Sequence, residues 1–230
     1  MLAAARTALG GEQKISAVKT FTVNGRTQQL RGNNLVPIEF DISSELPDKY
    51  ARRDEIPAQE SGPTTIGFNG EELIQLPVPP APPPSPAPTN PADAARRARV
   101  ASVKQDFARL TLGMFAGSFS SYPLTFTYAG QAEAPQGRAD VLDVKAPPNV
   151  AMRFFIHRDT HLPVMVSWQT QVQGKPVENR IYSADYRDVD GLRLPFRLRR
   201  AVGPDTVEET TFDRFRINPK IDARKFEVRR

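Results

Sequence analysis

The chain of 230 residues contains no cysteine and only two histidines, His157 and His161. The lack of cysteine excludes disulfides, thiolate chemistry, cysteine-based zinc sites and iron–sulfur clusters. Two histidines are too few for a histidine-rich metal site. Runs of ~18 apolar residues, the length that spans a bilayer as a helix, are also missing. The sequence therefore predicts a protein without a metal, a cofactor or a membrane-spanning helix.

Hydrophobic residues make up 39% of the chain and charged residues 25%, a composition typical of a folded core. We expect one domain over residues 1–230. The net charge of +5 is a mild basic excess. The first residues show no basic region followed by an apolar stretch, so no signal peptide is recognised. A cytoplasmic protein and the mature form of an exported one are both compatible with this start.

Most of the chain is predicted to form short β-strands joined by tight turns, with one helix over residues 2–9 before them. Asn24-Gly25 is either a hairpin turn or a bend within one long strand, and we favour the bend. Antiparallel strands in series predict a curved sheet or incomplete barrel, in a mainly β (α+β) fold. The predicted strands are 18–30, 34–42, 48–56, 64–68, 71–76, 121–130, 138–146, 151–157, 163–173, 177–188, 192–201 and 206–217.

Several of these strands alternate apolar and polar residues with a period of two, which indicates one buried and one solvated sheet face. In the clearest case Leu192, Leu194, Phe196 and Leu198 alternate with polar or proline positions. The residues predicted to share the buried face are Tyr122, Leu124, Phe126, Tyr128, Val164, Val166, Trp168, Leu192, Leu194, Phe196 and Leu198.

One segment departs from the β pattern. Asn90-Pro91 reads as a helix N-cap followed by proline at the first helical position. An apolar stripe then predicts a helix of about 20 residues. The stripe consists of Val100, Val103, Phe107, Leu110 and Met114. The expected partner of this amphipathic helix is the apolar face of the curved sheet. There it either fills a plain hydrophobic core or acts as a movable plug over a cavity for acyl chains.

Nine of the 22 prolines fall within Pro77–Pro91, which predicts an extended polyproline II segment. Such a segment is either a stiff connector from the sheet edge to the helix or a docking site for a partner domain. We favour the connector.

Other chemistries receive little support from the residues. His157 and His161 flank a turn between strands, so they do not share a helical face as a metal pair would. Carboxylates are scattered over strand ends, and no nucleophile elbow or phosphate loop is present. The arginines near residues 193–200 lack interleaved aromatic side chains, which disfavours nucleic-acid binding. We therefore expect neither an enzyme nor a nucleic-acid-binding protein.

Five segments in chain order resemble the LolA/LolB-like outer-membrane lipoprotein-sorting superfamily of lipoprotein carriers. The most specific is the C-terminal block, Asp185-Tyr-Arg-Asp-Val-Asp-Gly-Leu-Arg-Leu-Pro-Phe followed by Phe212-Asp-Arg-Phe-Arg-Ile-Asn-Pro-Lys-Ile-Asp and Phe226. Asp159-Thr-His-Leu-Pro is similar to a hairpin of that family, although one residue shorter. The other segments are 8–19, 46–55 and 66–74. The long proline tract is a departure from the family pattern.

The resemblance implies an incomplete antiparallel barrel around helices that shields acyl chains in the bacterial periplasm, without catalysis. It also implies an arginine that holds the lid helix closed, at Arg52 or Arg53. We expect a monomer whose ligands are the acyl chains of a lipid or lipoprotein. The alternative function is an envelope sensor or protein-interaction module with a closed core and an envelope protein as partner.

Overall fold

The computed structural model describes residues 1–57, 59–60, 62–80, 91–134, 137–147 and 150–229. Over these residues the chain forms one antiparallel sheet of twelve strands and three α-helices, followed by a short 3-10 helix, Ala223–Phe226. The α-helices are α1 (Leu2–Ala8), α2 (Glu12–Ser16) and α3 (Pro91–Phe115). The strands are β1 (Thr20–Arg31), β2 (Asn34–Glu45), β3 (Lys49–Glu55), β4 (Thr64–Asn69), β5 (Glu72–Leu76), β6 (Thr125–Ala134), β7 (Gly137–Ala146), β8 (Val150–His157), β9 (Pro163–Val172), β10 (Lys175–Val189), β11 (Leu192–Val202) and β12 (Asp205–Ile217).

The strand order is β5-β4-β3-β2-β1-β12-β11-β10-β9-β8-β7-β6, so β5 and β6 are the two edges of an open sheet. Two meanders, β1–β5 and β6–β12, join where β12 pairs with β1. The segment that contains α3 connects one edge strand to the other. The expected fold, an antiparallel sheet that is not closed into a barrel and packs on one helix, is confirmed. In the described part of the chain, no helix has the length and apolarity needed to cross a bilayer.

The two possibilities for Asn24-Gly25 are resolved in favour of the bend. β1 runs continuously through these residues, and its register against β12 shifts between them. A Cβ atom on Gly25 would lie 2.3 Å from the carbonyl oxygen of Thr211. Glycine is therefore required here because the backbone of β12 approaches too closely for any side chain.

Helix α3 begins at Pro91 as predicted and packs against β4, β5, β9 and β11. We call the sheet face on its side the inner face and the opposite one the outer face. The predicted apolar stripe is confirmed, since Val100, Val103, Phe107 and Met114 are buried and Leu110 is half-buried in the main hydrophobic cluster. Asn90 and the other residues of 81–90 lie outside the described residues, so the role of the proline tract stays a prediction.

The two halves of α3 differ in burial. Residues 93–99 are exposed on every side, whereas residues 107–109 and 111–116 are buried around the whole helix. The buried half is tied to the rest of the fold at two carbonyls. The Tyr186 hydroxyl lies 2.8 Å from the carbonyl oxygen of Gly113, and Arg6 donates to the carbonyl oxygen of Phe115 at 3.0 Å. This half of the helix is therefore an integral part of the core.

Two members of the predicted buried inner face differ from the prediction, Val164 in the face it occupies and Tyr128 in its exposure. Val164 is buried, but in a second cluster on the outer face with Phe155, Met165 and Tyr182. The reason is a bulge: Phe155 pairs with Met165 and Ile156 pairs with Pro163, which leaves Val164 without a partner and breaks the alternation.

Tyr128, also predicted to be buried, is 51% exposed. It lies on edge strand β6, and the register shift between Tyr128 and Gly130 leaves Ala129 unpaired. A strand with a neighbour on one side only, followed by a bulge, receives less cover from the rest of the fold.

The aromatic contacts of Phe107 generate a test of the core. Its ring centroid lies 5.2 Å from that of Tyr50 and 5.4 Å from that of Phe68. We expect Phe107→Ala to lower the free energy of unfolding by about 3–5 kcal/mol, because it removes a buried ring and leaves a cavity. Urea denaturation followed by circular dichroism measures the change. Leu35→Ala is the control, since Leu35 is 64% exposed, and its expected cost is about 0.5 kcal/mol or less. Equal losses for the two variants would contradict this account of the core.

Candidate functional site

A cavity of about 280 Å³ lies between the middle of α3 and the inner face of the sheet. Its apolar wall combines residues from both meanders with Val103 and Leu110 of the helix. The sheet residues in this wall include Ile42, Ile66, Trp168, Ile181, Leu198 and Phe212. The cavity thus lies where β12 and β1 bring the two halves of the sheet together, and where the buried half of α3 gives way to the exposed half.

The same cavity carries an unusual number of charges for a space lined by buried strands. Four arginines line it, Arg52, Arg99, Arg109 and Arg200, together with the two carboxylates of Asp106 and Glu208. The lining therefore has an excess of two positive charges. Ser102, Ser183 and Thr210 add hydroxyl groups.

Arg109 is the most buried of these arginines, with 7% of its surface exposed. Its guanidinium carbon lies 4.0 Å from the ring centroid of Trp168, in a cation–π contact. Nη1 donates to Asp106 at 2.8 Å and Nη2 donates to Gln105 at 3.2 Å. Burial lowers the pKa of Arg109, but a guanidinium remains charged at neutral pH. A positive charge is thus held against an aromatic wall of the cavity.

The two candidates for the lid-holding arginine lie on opposite faces of the sheet. Arg52 lines the cavity, stacks 4.5 Å from the Phe40 ring centroid and donates from Nε to Asp54 at 2.7 Å. Arg53 lies on the outer face, where it donates to Glu55 at 2.8 Å. Of the two, Arg52 is the one on the side of α3, and its hydrogen bond goes to the sheet rather than to the helix.

The structure places part of the predicted cavity wall around this space. Trp168 and Leu198 line it from the sheet, and Val103 and Leu110 line it from the helix. The remaining core members lie in the main hydrophobic cluster outside the cavity lining. They are Tyr122, Leu124, Phe126, Val166, Leu192, Leu194 and Phe196 from the sheet side, and Val100, Phe107 and Met114 from the helix. Most of the predicted wall is therefore packed core.

The charged lining of the cavity was not predicted from the sequence, although two patterns in the sequence indicate it. Continuing the period-two alternation of β11 beyond Leu198 puts Arg200 on the inner face, where the structure has it. In α3, polar residues recur at spacings of three, four and three residues and so form a stripe along one side of the helix. Each of them directly precedes a residue of the apolar stripe, so the two stripes run side by side. The polar stripe consists of Arg99, Ser102, Asp106 and Arg109.

The turn between His157 and His161 has the local role expected of it. The Nδ1 atom of His157 accepts from the backbone N–H of Asp159 at 3.1 Å and that of Thr160 at 3.3 Å. Among the residues that the structure describes, no three His, Cys, Asp or Glu side chains come together as a metal site would require.

Comparison with solved structures shows which known fold the chain has. No family model matches the chain, and no curated protein is similar to it. A LolA superfamily protein from Nitrosomonas europaea superposes with a TM-score of 0.61 at 13% identity, over 97% of each chain. A domain from Vibrio parahaemolyticus that is assigned to outer membrane lipoprotein sorting gives 0.56 at 8% identity, over 93% of each chain.

A third solved structure, a DUF1329 family protein from Desulfovibrio piger, gives a TM-score of 0.54 at 10% identity, over 98% of this chain and 95% of that one. Each likeness extends over nearly the full length of both chains, so it concerns the whole open sheet with its helix and not a shared substructure. The chain has a LolA-like fold.

Proposed function

We propose that this protein binds the acyl chain of a lipid or lipoprotein in the cavity between α3 and the sheet, without catalysis, in the bacterial periplasm. The cavity itself is the observation that carries the proposal. If the helix and the sheet formed a closed core, side chains would fill this space. Instead the space is open, and Trp168, Ile181 and Leu198 of the sheet line it. The likeness to a domain assigned to outer membrane lipoprotein sorting supports acylated cargo.

The size of the cavity limits what it holds as it stands. At about 280 Å³ it lies just below the range of ~300–1,000 Å³ that small-molecule sites occupy. It therefore accommodates one short chain or part of a longer one. A larger cargo requires α3 to move away from the sheet, at least over part of its length.

The two halves of α3 suggest how cargo enters. The exposed half, residues 93–99, contributes little to the core, whereas residues 107–116 are fixed by the hydrogen bonds to Gly113 and Phe115. Segments with little buried apolar surface open at low free-energy cost. We propose that the exposed half of α3 opens as the entrance while the buried half stays in place.

Filling the cavity tests the binding site. Ile181→Phe adds volume to the lining, and we expect it to weaken binding of decyl phosphate and decanol roughly tenfold or more. The matched control is Ile221→Phe, at a half-buried isoleucine that packs on a separate cluster around Phe226. Calorimetric titration measures the affinity. Trp168, the sole tryptophan, reports on the cavity through its emission.

Two results would overturn the proposed function. One is that neither decyl probe binds the unaltered protein. The other is that Ile221→Phe lowers the affinity as much as Ile181→Phe does while both variants remain folded, because the binding site would then lie outside the cavity.

A designed disulfide tests whether the buried half of α3 stays in place. A Cβ atom on Gly113 would lie 3.9 Å from the Cβ atom of Ser183 on β10, within the ~3.5–4.5 Å of a disulfide. Since the chain has no cysteine, Gly113→Cys with Ser183→Cys forms one defined pair. We expect the oxidised and reduced forms of this double variant to bind decyl phosphate with equal affinity. Loss of binding on oxidation, with recovery on reduction, would show that the whole helix moves.

A further inference from the structure

The carboxylates and the arginines of the cavity differ in how far the protein itself supplies their hydrogen-bond partners. Asp106 accepts a hydrogen bond from Arg109, and 69% of its side chain is exposed to solvent. Glu208 lies within hydrogen-bond distance of the Gln29 amide and the Thr210 hydroxyl, at 3.4 Å from each. Both carboxylates therefore have donors on the protein.

The arginines retain more unused donors. Arg109 Nε is buried and has no hydrogen-bond acceptor among the described residues. A guanidinium has five N–H donors in a planar fork that matches a carboxylate or phosphate. A buried donor without an acceptor costs free energy, so its presence in a cavity wall indicates a place for an acceptor from outside the protein.

Arg200 lines the same cavity as Arg109. Burial is the main cause of the lowered pKa of Arg109, and the positive charge of Arg200 contributes to it. In the described part of the chain, Arg200 makes no ion pair within 4.0 Å of a carboxylate. Two positive charges that line one cavity are stabilised by a bound anion.

We infer that the cavity selects amphiphiles with an anionic headgroup, a carboxylate or phosphate, which Arg109 and Arg200 bind while the acyl chain lies along Trp168 and Leu198. This inference rests on the proposed function and adds the chemistry of the headgroup to it. Arg52 is less available, because its Nε is engaged with Asp54.

Four ligands with the same decyl chain separate the headgroup from the chain: decyl phosphate, decanoate, decanol and decyltrimethylammonium, each below its micelle concentration and near neutral pH. Inorganic phosphate is the fifth ligand and carries the anion without a chain. We expect both anionic amphiphiles to bind the unaltered protein about tenfold or more tightly than decanol, since hydrogen bonds to charged groups are the stronger ones.

The first two variants alter arginines that are adjacent in β11 but lie on opposite faces of the sheet. Arg200→Gln removes a charge from the cavity, and Arg199→Gln removes the same charge from the outer face, where Arg199 stacks 4.5 Å from the Tyr182 ring centroid. We expect Arg200→Gln to abolish the preference for anionic over neutral decyl ligands and Arg199→Gln to leave it unchanged. Arg109→Met is a second cavity variant with the same expected result, and Arg200→Gln decides the question if Arg109→Met does not fold.

Each result has a distinct meaning. Equal affinity for all four decyl ligands overturns the headgroup preference and leaves the proposed function standing. Equal loss of the preference in Arg199→Gln and Arg200→Gln also overturns it, since the effect would then come from net charge. Inorganic phosphate that binds as tightly as decyl phosphate shows a site for free anions and overturns it as well. Absence of binding by every decyl ligand overturns the proposed function itself.

Discussion

An open sheet with one apolar face must have that face covered, and in this protein α3 is the longest helix that does so, with Ala5, Leu9 and Ile15 added from the N-terminal helices. The segment that contains α3 also joins the two sheet edges. An uncovered apolar face of twelve strands would be exposed to water and prone to association. One helix of 25 residues and two short ones do not cover so large a face evenly. Its buried half packs against aromatic side chains from both meanders, such as Phe68 of β4 and Trp168 of β9, and its exposed half does not reach the same depth. The cavity is the direct result of this unequal cover.

The composition of the cavity wall argues against a simple packing defect. A defect between a helix and a sheet would be lined by apolar side chains and would be dry. Here the helix contributes its polar stripe, with Arg109 desolvated against Trp168. Placing a guanidinium in such a position costs free energy that an aliphatic residue would avoid. This cost supports the proposed binding site, because a bound ligand would supply interactions that the protein alone does not.

The sequence predicted the fold well because period-two alternation and turn residues act locally. The strands of β6–β12 and the apolar stripe of α3 follow from such patterns. Val164 was misplaced because a bulge changes the alternation, and a bulge depends on how two distant strands pair. Tyr128 is exposed because β6 is an edge strand, and the position of a strand in the sheet depends on the whole topology. The polar stripe of α3 can be seen in the sequence, but the sequence pattern alone does not indicate that it lines a cavity. Only the burial of Arg109 against Trp168 of the sheet distinguishes it from an ordinary solvated helix face.

Structures that share this fold at 8–13% identity share a pattern of strands and few side chains. A fold of this kind provides an apolar inner face with a helix over it, and under the proposed function that face takes the acyl chain, but the fold alone does not specify the ligand. Which ligand is bound must then be decided by the residues that differ between such proteins. In this chain we infer that Arg109 of α3 and Arg200 of β11 make this choice, since the apolar wall of Ile42, Ile181 and Leu198 has no means to distinguish one acyl chain from another.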